Sequence, residues 1–566
     1  MVCTRTAASC VARHIPHSQF DHEGRLLSIH FHAQSERRQA TMTESSSDVS
    51  RRALLKGAAV SGVSLVVGPS LLSGCANDLT KAPGNLITPI PPVELVNTNQ
   101  DWFPQRAWSI SGNKVLLTND GKSFPTKTFA QQVYRPTTAQ EISGIVKATP
   151  ATTPIACICG GHESSNACLF TGSDAILLDM ANFKSIEFAD DTEGMTVTVG
   201  AGVVFRELVE ALKEQAGALP VGTGPGVGVV GYLVNGGLSG YFSRRLGLLG
   251  QRVEKMTVVT ATGDIRVLTA KDELLTAMVG AGSALAIVVD VTIRIEHESV
   301  IRGADQRVIA FETRAQAIEF SRGATRFMKD RVLPNASVSM ELVVTGTKVL
   351  VATFIFYDSF RGSSAEFVKP IEDLAASLKL PVVAQAHWAS WYEAAAALWP
   401  VIAEQKGDPI ATMYHCVGTR KTPSDAILSF VSDIFVGEAP LDEATMSIVE
   451  IRTLGGAAAS GKSIPSGNCH HDFFVDLVTL YDAKGKSMTE RQHIVDLTKR
   501  VMDKSRAVDG LSIDFSGTHS QPDDPDYCVC AAVIFGTEAM AQFVKATKKQ
   551  MDPSNRFRFH PFAKLV

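Results

Sequence analysis

Gly222-Thr223-Gly224-Pro225-Gly226-Val227-Gly228-Val229-Val230-Gly231 runs on through Tyr232 to Asn235-Gly236-Gly237-Leu238-Ser239-Gly240. Eight of these nineteen residues are glycine. Glycine lacks a Cβ, so this density marks backbone lying directly against something flat or phosphorylated. A floppy surface loop fits poorly, because Val227, Val229, Val230, Leu233, Val234 and Leu238 are apolar. Gly226-x-Gly228-x-x-Gly231 matches the dinucleotide fingerprint only formally. That fingerprint needs a strand before it and a helix opening inside it, whereas here a helix and Leu219-Pro220 precede it and more glycines follow. A nicotinamide-dependent dehydrogenase is set aside on that ground.

Upstream lies a second glycine cluster, Cys159-Gly160-Gly161-His162-Glu163-Ser164-Ser165, after the apolar Pro154-Ile155-Ala156-Cys157-Ile158. A strand ending in two glycines turns backbone N–H groups toward an anion and forms a phosphate-sized nest. Around the two clusters, strands and helices alternate. Thr138 and Glu141 form a capping box at a helix start, and Ile142, Ile145 and Val146 supply its apolar face. Met195 to Val199 alternates as a strand. Val203 to Ala216 reads as an amphipathic helix stopped by Gly217. Two short strands flank Thr262-Gly263-Asp264 between Met256 and Leu268, and Ala284 to Ile295 is a further β-rich run.

In this order the motifs resemble the vanillyl-alcohol-oxidase type of FAD-linked oxidases, with a PCMH-type FAD-binding domain, closest to the berberine-bridge-enzyme-like branch. Arg135-Pro136 opens the domain; Gly160-Gly161-His162, Gly200-Ala201-Gly202 and the long glycine segment ending in Ser243-Arg244-Arg245-Leu246-Gly247-Leu248 follow. Val258 to Gly263 comes next, and Asp552-Pro553-Ser554-Asn555-Arg556-Phe557 resembles the family's closing Asp-Pro-x-Asn-x-Phe. The resemblance covers about 128–299 and the last ~30 residues. It implies an α+β fold: a two-lobed PCMH-type FAD-binding domain plus a substrate domain of antiparallel sheet with helices.

The resemblance also implies the cofactor. FAD lies extended between two lobes, with Gly160, Gly161, His162, Glu163 and Ser164 facing the pyrophosphate or flavin edge. Gly222, Thr223, Gly228, Tyr232, Gly236, Gly237 and Ser239 line the second loop, and Val288 caps one end through backbone groups. His162 stands where the family often has a histidine bonded to the flavin 8α-methyl. Gly224 stands where some members add a cysteine bond, so one covalent link is expected. The chain departs from the family at Ile158-Cys159, where a basic residue is usual, and at Asn166, where a glycine is usual.

A flavin in this fold takes a hydride from a C–H bond beside an oxygen or nitrogen, and a base removes the accompanying proton. The candidates are Glu450, the pair Tyr414 and His415, His470 with His471, and Tyr527. Each has a structural alternative: Tyr414 and Tyr527 as packed aromatics, Glu450 as the partner of Arg452. No metal is expected, since the adjacent side chains of Cys469, His470 and His471 diverge. Cys157-x-Cys159 and Cys528-x-Cys530 lack the redox spacing and are expected to pack in cores.

The N-terminus reads as an address. Residues 1–41 are polar and aperiodic, a non-native extension if translation begins at Met42. Ser50-Arg51-Arg52 and the apolar Ala58 to Leu72 form a twin-arginine-type signal. Leu72-Ser73-Gly74-Cys75 resembles a lipobox, with Cys75 taking lipid. Export to the periplasm or cell envelope is therefore expected. Residues 76–124 carry Pro83, Pro89, Pro91 and Pro92 and read as tether and lead-in. The expected FAD domain is 125–300, the substrate domain 301–510, and 511–566 completes the FAD domain.

Over 566 residues, 45% apolar and 20% charged content excludes disorder, and a formal charge of −4 argues against a nucleic-acid binder. The resulting reading is an exported FAD-dependent oxidoreductase acting on an alcohol, sugar or amine, with oxygen or another acceptor. The alternative is a non-catalytic flavin- or ligand-binding lipoprotein on the same fold.

Overall fold

The computed structural model describes residues 93–95, 110–111, 130, 132–163, 168, 174–301, 303–331, 336–345, 348–357, 365–397, 410–419, 423–437, 445–482, 487–513 and 531–559. The N-terminal extension, the signal and Cys75 lie outside the described residues, as do Ser164 and Tyr527.

Two sheets build the FAD-side lobes. The first places Gln132–Arg135, Ile176–Asp179 and Ile155–Ile158 in parallel, with Glu94–Leu95 antiparallel at one edge. All four residues of Ile176–Asp179 are buried, as expected of a central parallel strand. The second is antiparallel, in the order Ile265–Thr269, Val253–Val259, Ile287–Arg294, Gly194–Gly200, Ile186–Asp191. Val197 and Val199 are fully buried while Thr198 is partly open, the period of two that marked this strand in the sequence.

The helices match their sequence signals, with two differences. Thr138 Oγ1 accepts from Glu141 N at 3.2 Å, but the Glu141 carboxylate reaches back to Thr137 N at 2.6 Å, not to Thr138. The amphipathic helix is Phe205–Glu214, burying Phe205, Leu208, Val209 and Leu212. Each such side chain contributes roughly 1.5–3 kcal/mol, so Leu208→Asp would break the packing. Its left-handed residue is Ala216, at φ +49°, and not Gly217. Gly217 instead pairs in a short strand with His297, pressed against Leu212 and Ile295.

Among the described residues the substrate-side sheet has nine strands. Its path runs Val382–Trp388, Gly303–Phe311, Lys348–Tyr357, Ala336–Thr345, Thr445–Thr453, Phe473–Asp482, Ile410–Thr419 and Ile110–Ser111, and Leu511–Ile513 also pairs with Ile410–Thr419. Two of these pairings fall outside the domain limits read from sequence. Ile110–Ser111, in the stretch read as a tether, joins this sheet, and so does Leu511–Ile513. The chain is back on the FAD side by the helix Glu538–Met551, packed on the core that also holds Met278 and Leu285.

The two faces of this sheet differ. One carries Ile309, Val338, Met340, Val417, Val449 and Ile451, covered by helices including Arg314–Arg331 and Ala365–Ser377. The other carries Ser337, Ser339, Glu450, Arg452 and Asp476, all buried. Successive strand residues alternate faces, so Glu450 and Arg452 share the second one.

The closing motif is a knot. Lys548 Nζ donates to Asp552 Oδ2 at 2.7 Å, Ala284 O at 2.7 Å and Phe557 O at 3.1 Å. Asp552 accepts from the backbone of Arg556 and Phe557. Asn555 sits at φ +52°, where Asn is tolerated. The Arg556 guanidinium donates to the carbonyls of Val146, Thr149, Thr153 and Ala261. This ties residues 552–557 to the first lobe.

Candidate functional site

The strand Ile155–Ile158 ends in Cys159-Gly160-Gly161, with Gly161 at φ +74°. Gly160 lies against the second glycine segment. A Cβ on Gly160 would meet the backbone N of Gly228, its Cα at 2.8 Å and Gly226 O at 2.9 Å. A Cβ on Gly228 would lie 2.6 Å from Gly160 N. Neither residue can carry a side chain without moving main chain.

Beside this contact opens a cleft of about 1040 Å³, mouth included. Gly160, Gly161, His162, Glu163, Gly228, Tyr232 and Val288 line it, so both glycine segments and the β-rich run meet there. Val288 arrives there at a bulge, where the register between Ile287–Arg294 and Val253–Val259 slips between Val288 and Asp290. The other proposed cofactor residues among the described ones are not on the cleft wall. Gly222 is pressed on the Phe205 and Tyr232 rings, Gly236 (φ +92°) on Ser466 and Gly237 (φ +74°) on Leu249. Ser239 is buried in a turn, its Oγ accepting from Phe242 N at 3.2 Å. Thr223 is half-buried away from the cleft lining.

Several lining residues were not singled out in the sequence as cofactor contacts. Asn235 donates to Gly231 O at 2.7 Å, an i to i−4 bond readable from its place after a short helix. Cys157 and Cys159 pack against the core, but they also line the cleft with Cys168 and Met180. The expectation of plain core packing is corrected accordingly. Burial pushes the Cys157 thiol up, helped by Cys159. Burial and then the Glu163 carboxylate push Cys168 well up. Burial likewise raises the Tyr232 hydroxyl, partly offset by the Arg452 charge. The cleft wall is thus neutral at these three groups near pH 7.

The polar sheet face meets the end of the glycine segment. Arg452 lies over Gly240: a Cβ there would be 2.8 Å from its Cζ. Arg452 pairs with Glu450 through Nη2 and Oε2, and its Nη1 lies 3.5 Å from Asp476 Oδ2. Glu450 therefore does pair with Arg452, as the structural alternative allowed, and it is 1% exposed. His471 is buried over Gly418, whose Cβ would lie 2.6 Å from the ring. His470 is exposed and turned to Gly536, 2.7 Å from where its Cβ would be. The structure separates these adjacent histidines and sends His470 away from the polar face. Tyr414 and His415 occupy strand Ile410–Thr419, in register with Val478 and Leu477.

Arg244 Nη1 donates to Leu454 O, and Gln251 Nε2 donates to Ala458 O at 2.9 Å. Trp391, fully buried, donates from Nε1 to Leu219 O at 3.1 Å. These contacts pin the substrate-side sheet to the FAD side, so the polar face and residues 236–240 keep one spacing.

Residues 130–269 match the FAD binding domain family. The FAD-linked oxidoreductase tazG of Aspergillus terreus is 29% identical over 235 residues, 41% of this chain and 44% of that protein. The chain thus spans less than half the length of this curated relative. Among solved structures, 6-hydroxy-D-nicotine oxidase from Arthrobacter nicotinovorans superposes with a TM-score of 0.64 at 17% identity, covering 84% of this chain and 99% of that one. Berberine bridge enzyme from Eschscholzia californica gives 0.65 at 14% identity, covering 83% and 95%. Residues 130–269 are therefore similar to the FAD binding domain family, and the chain has the fold that these two enzymes share.

Proposed function

We propose that the protein is an exported FAD-dependent oxidoreductase acting on a small alcohol, sugar or amine. The observation that carries this is the pairing of two surfaces on one glycine segment. Its first half joins Gly160 at the cleft, and its end lies under Arg452, beside Glu450. The residues present suit FAD. Gly160, Gly161 and Gly228 offer main chain without side chains, Tyr232 and Asn235 add polar groups, and Val288 with Val227 and Val230 supplies apolar wall. Ser339 Oγ, a buried polar atom on the polar sheet face without a hydrogen-bond partner, suits a hydrogen-bonding substrate.

When bound, the flavin supplies hydride acceptance from a C–H bond beside oxygen or nitrogen. The chain supplies the rest. Glu450 takes the substrate's O–H or N–H proton, Arg452 holds Glu450 in place, and the docked sheet excludes water. His162, on the cleft wall, would carry the flavin through one covalent bond, with Gly224 standing where a second would need a cysteine. The sequence supports export by the signal at 42–75, with Cys75 lipidated and oxygen or another acceptor reoxidising the flavin.

The test is direct. Purified mature protein should be yellow, gain one FAD in mass, keep its fluorescence after acid denaturation, and bleach anaerobically with one member of an alcohol, sugar and amine panel. His162→Ala should release flavin on denaturation with the fold intact. Flavin-free protein from correct expression refutes the assignment, and full release of flavin from wild-type protein refutes the tether.

A further inference from the structure

The proposed function leaves one proton on Glu450, and the neighbouring strand brings a second carboxylate to the same place. Asp476 is the direct cross-strand partner of Glu450, so both project from one face of the sheet. Both are buried, at 1% and 0% exposure. One guanidinium serves both: Arg452 Nη2 pairs with Glu450 Oε2, and Nη1 lies 3.5 Å from Asp476 Oδ2. Arg452 itself rests on Gly240, so it cannot swing toward the FAD side without striking main chain.

We propose that Glu450 and Asp476 act as one coupled carboxylate pair around Arg452, and that the pair together holds the single proton taken from the substrate. This rests on the function proposed above.

The physical argument is charge. Like charges facing across two strands are destabilising, and two carboxylates sharing one site cannot both ionise easily, so one is driven toward its protonated form. Arg452 stays charged throughout. The neighbouring strand Ala336–Thr345 adds Glu341, in register with Glu450, and Ser339, in register with Arg452. On the far side Cys416 is in register with Asp476. The segment entering Phe473–Asp482 adds His471 and Asp472, with Arg244 beside Asp472, and the glycine segment adds Tyr232. The pair therefore starts as two carboxylates on one guanidinium and ends as one carboxylate and one acid. In the step, the substrate's O–H or N–H bond breaks and its electron pair becomes the new C=O or C=N bond. The flavin would accept the C–H pair as hydride, and the proton forms an O–H bond on the pair. No further oxidant is needed.

The test is a pH-difference infrared titration of the purified protein from about pH 5 to about pH 9. Wild type should show one carboxylic acid C=O band, lost with a midpoint at least about one unit above the ordinary carboxylate value near 4. Asp476→Asn and Glu450→Gln should each abolish it or lower its midpoint by about one unit or more. Arg452→Lys, a point charge that cannot fork to both, should raise the midpoint. The acid limb of anaerobic flavin reduction should move the same way in Asp476→Asn, and Glu450→Gln should lose at least about 100-fold in rate. A band and limb unmoved in Asp476→Asn overturn the proposal. If that variant does not fold, an unmoved midpoint in Arg452→Lys overturns it instead. Flavin-free protein, or flavin that no panel substrate reduces, sinks the proposed function, whereas the infrared band still decides the pairing.

Discussion

Gly160→Ala tests the contact that creates the cleft. The added methyl would sit 2.8 Å from Gly228 Cα and 2.9 Å from Gly226 O, with Gly228 N closer still. All three atoms are main chain, so no side chain can rotate away. Relief requires the two glycine segments to part by the better part of an ångström, because ordinary contact begins near 3.5 Å. Overpacking of this kind costs typically about 1–3 kcal/mol. For a lobe of ordinary domain size each kcal/mol lowers Tm by roughly 2–4 °C, so a fall of roughly 2–12 °C is expected. Gly231→Ala is the control: it lies on the same cleft, yet its Cβ would meet Cys159 Cβ at 4.0 Å, an ordinary contact. Its Tm should stay within about 2 °C of wild type, aided by the better helix propensity of alanine. Calorimetry measures both, and visible absorbance of the purified proteins reads flavin retention, which Gly160→Ala should lower. Equal Tm and equal flavin content in the two variants would refute the close-approach argument.

Three further outcomes follow from other parts of the fold. Arg556→Leu leaves the buried carbonyls of Val146, Thr149 and Ala261 without their donor; at about 1–3 kcal/mol per orphaned group, the variant should lose at least about 3 kcal/mol in denaturant unfolding. Because burial and Glu163 hold the Cys168 thiol well above its ordinary value, little thiolate exists near pH 8, so iodoacetamide should label it slowly in native protein. Glu163→Gln should speed that labelling, as read by peptide mass spectrometry. Ala216→Gly should raise stability by up to about 1 kcal/mol, since Ala216 is held at φ +49°, and a lower Tm would contradict that assignment.

What the sequence disclosed depended on the range of the interaction. Local signals were legible: Thr138 as cap, the amphipathic helix with Leu208 and Leu212 on its buried face, the alternation of Met195 to Val199. The glycine clusters were legible as close approach, but not what they approach. Gly237 meets Leu249, and Gly236 meets Ser466 more than two hundred residues away, and no local pattern encodes such a partner. Gly217 reads as the stop of the helix before it, because glycine ends a helix at least cost. The pairing of Gly217 with His297 takes that residue for a strand and forces Ala216 into the turn. Glu450 was a candidate on strand position alone. Asp476 was invisible, because only the register of Thr445–Thr453 with Phe473–Asp482 sets the two carboxylates side by side.

One segment serves two surfaces, and that has a mechanical consequence. Gly228 bears on Gly160 at the cleft, and Gly240, twelve residues on, bears on Arg452 at the polar sheet face. Between them the chain is stiffened by the helix Val229–Leu233 and by Gly236 and Gly237 seated on Ser466 and Leu249. A methyl at either end strikes a different neighbour: main chain of the first lobe at residue 160, a buried ion pair of the substrate-side sheet at residue 240. Gly160→Ala should therefore act on flavin retention first. Gly240→Ala, which displaces Arg452 from between Glu450 and Asp476, should leave flavin content near wild type and shift the pH dependence of flavin reduction. Anaerobic reduction rates across pH, set beside the flavin absorbance of each variant, separate the two. Loss of flavin in both variants with no change in pH profile would show that the segment carries one function rather than two.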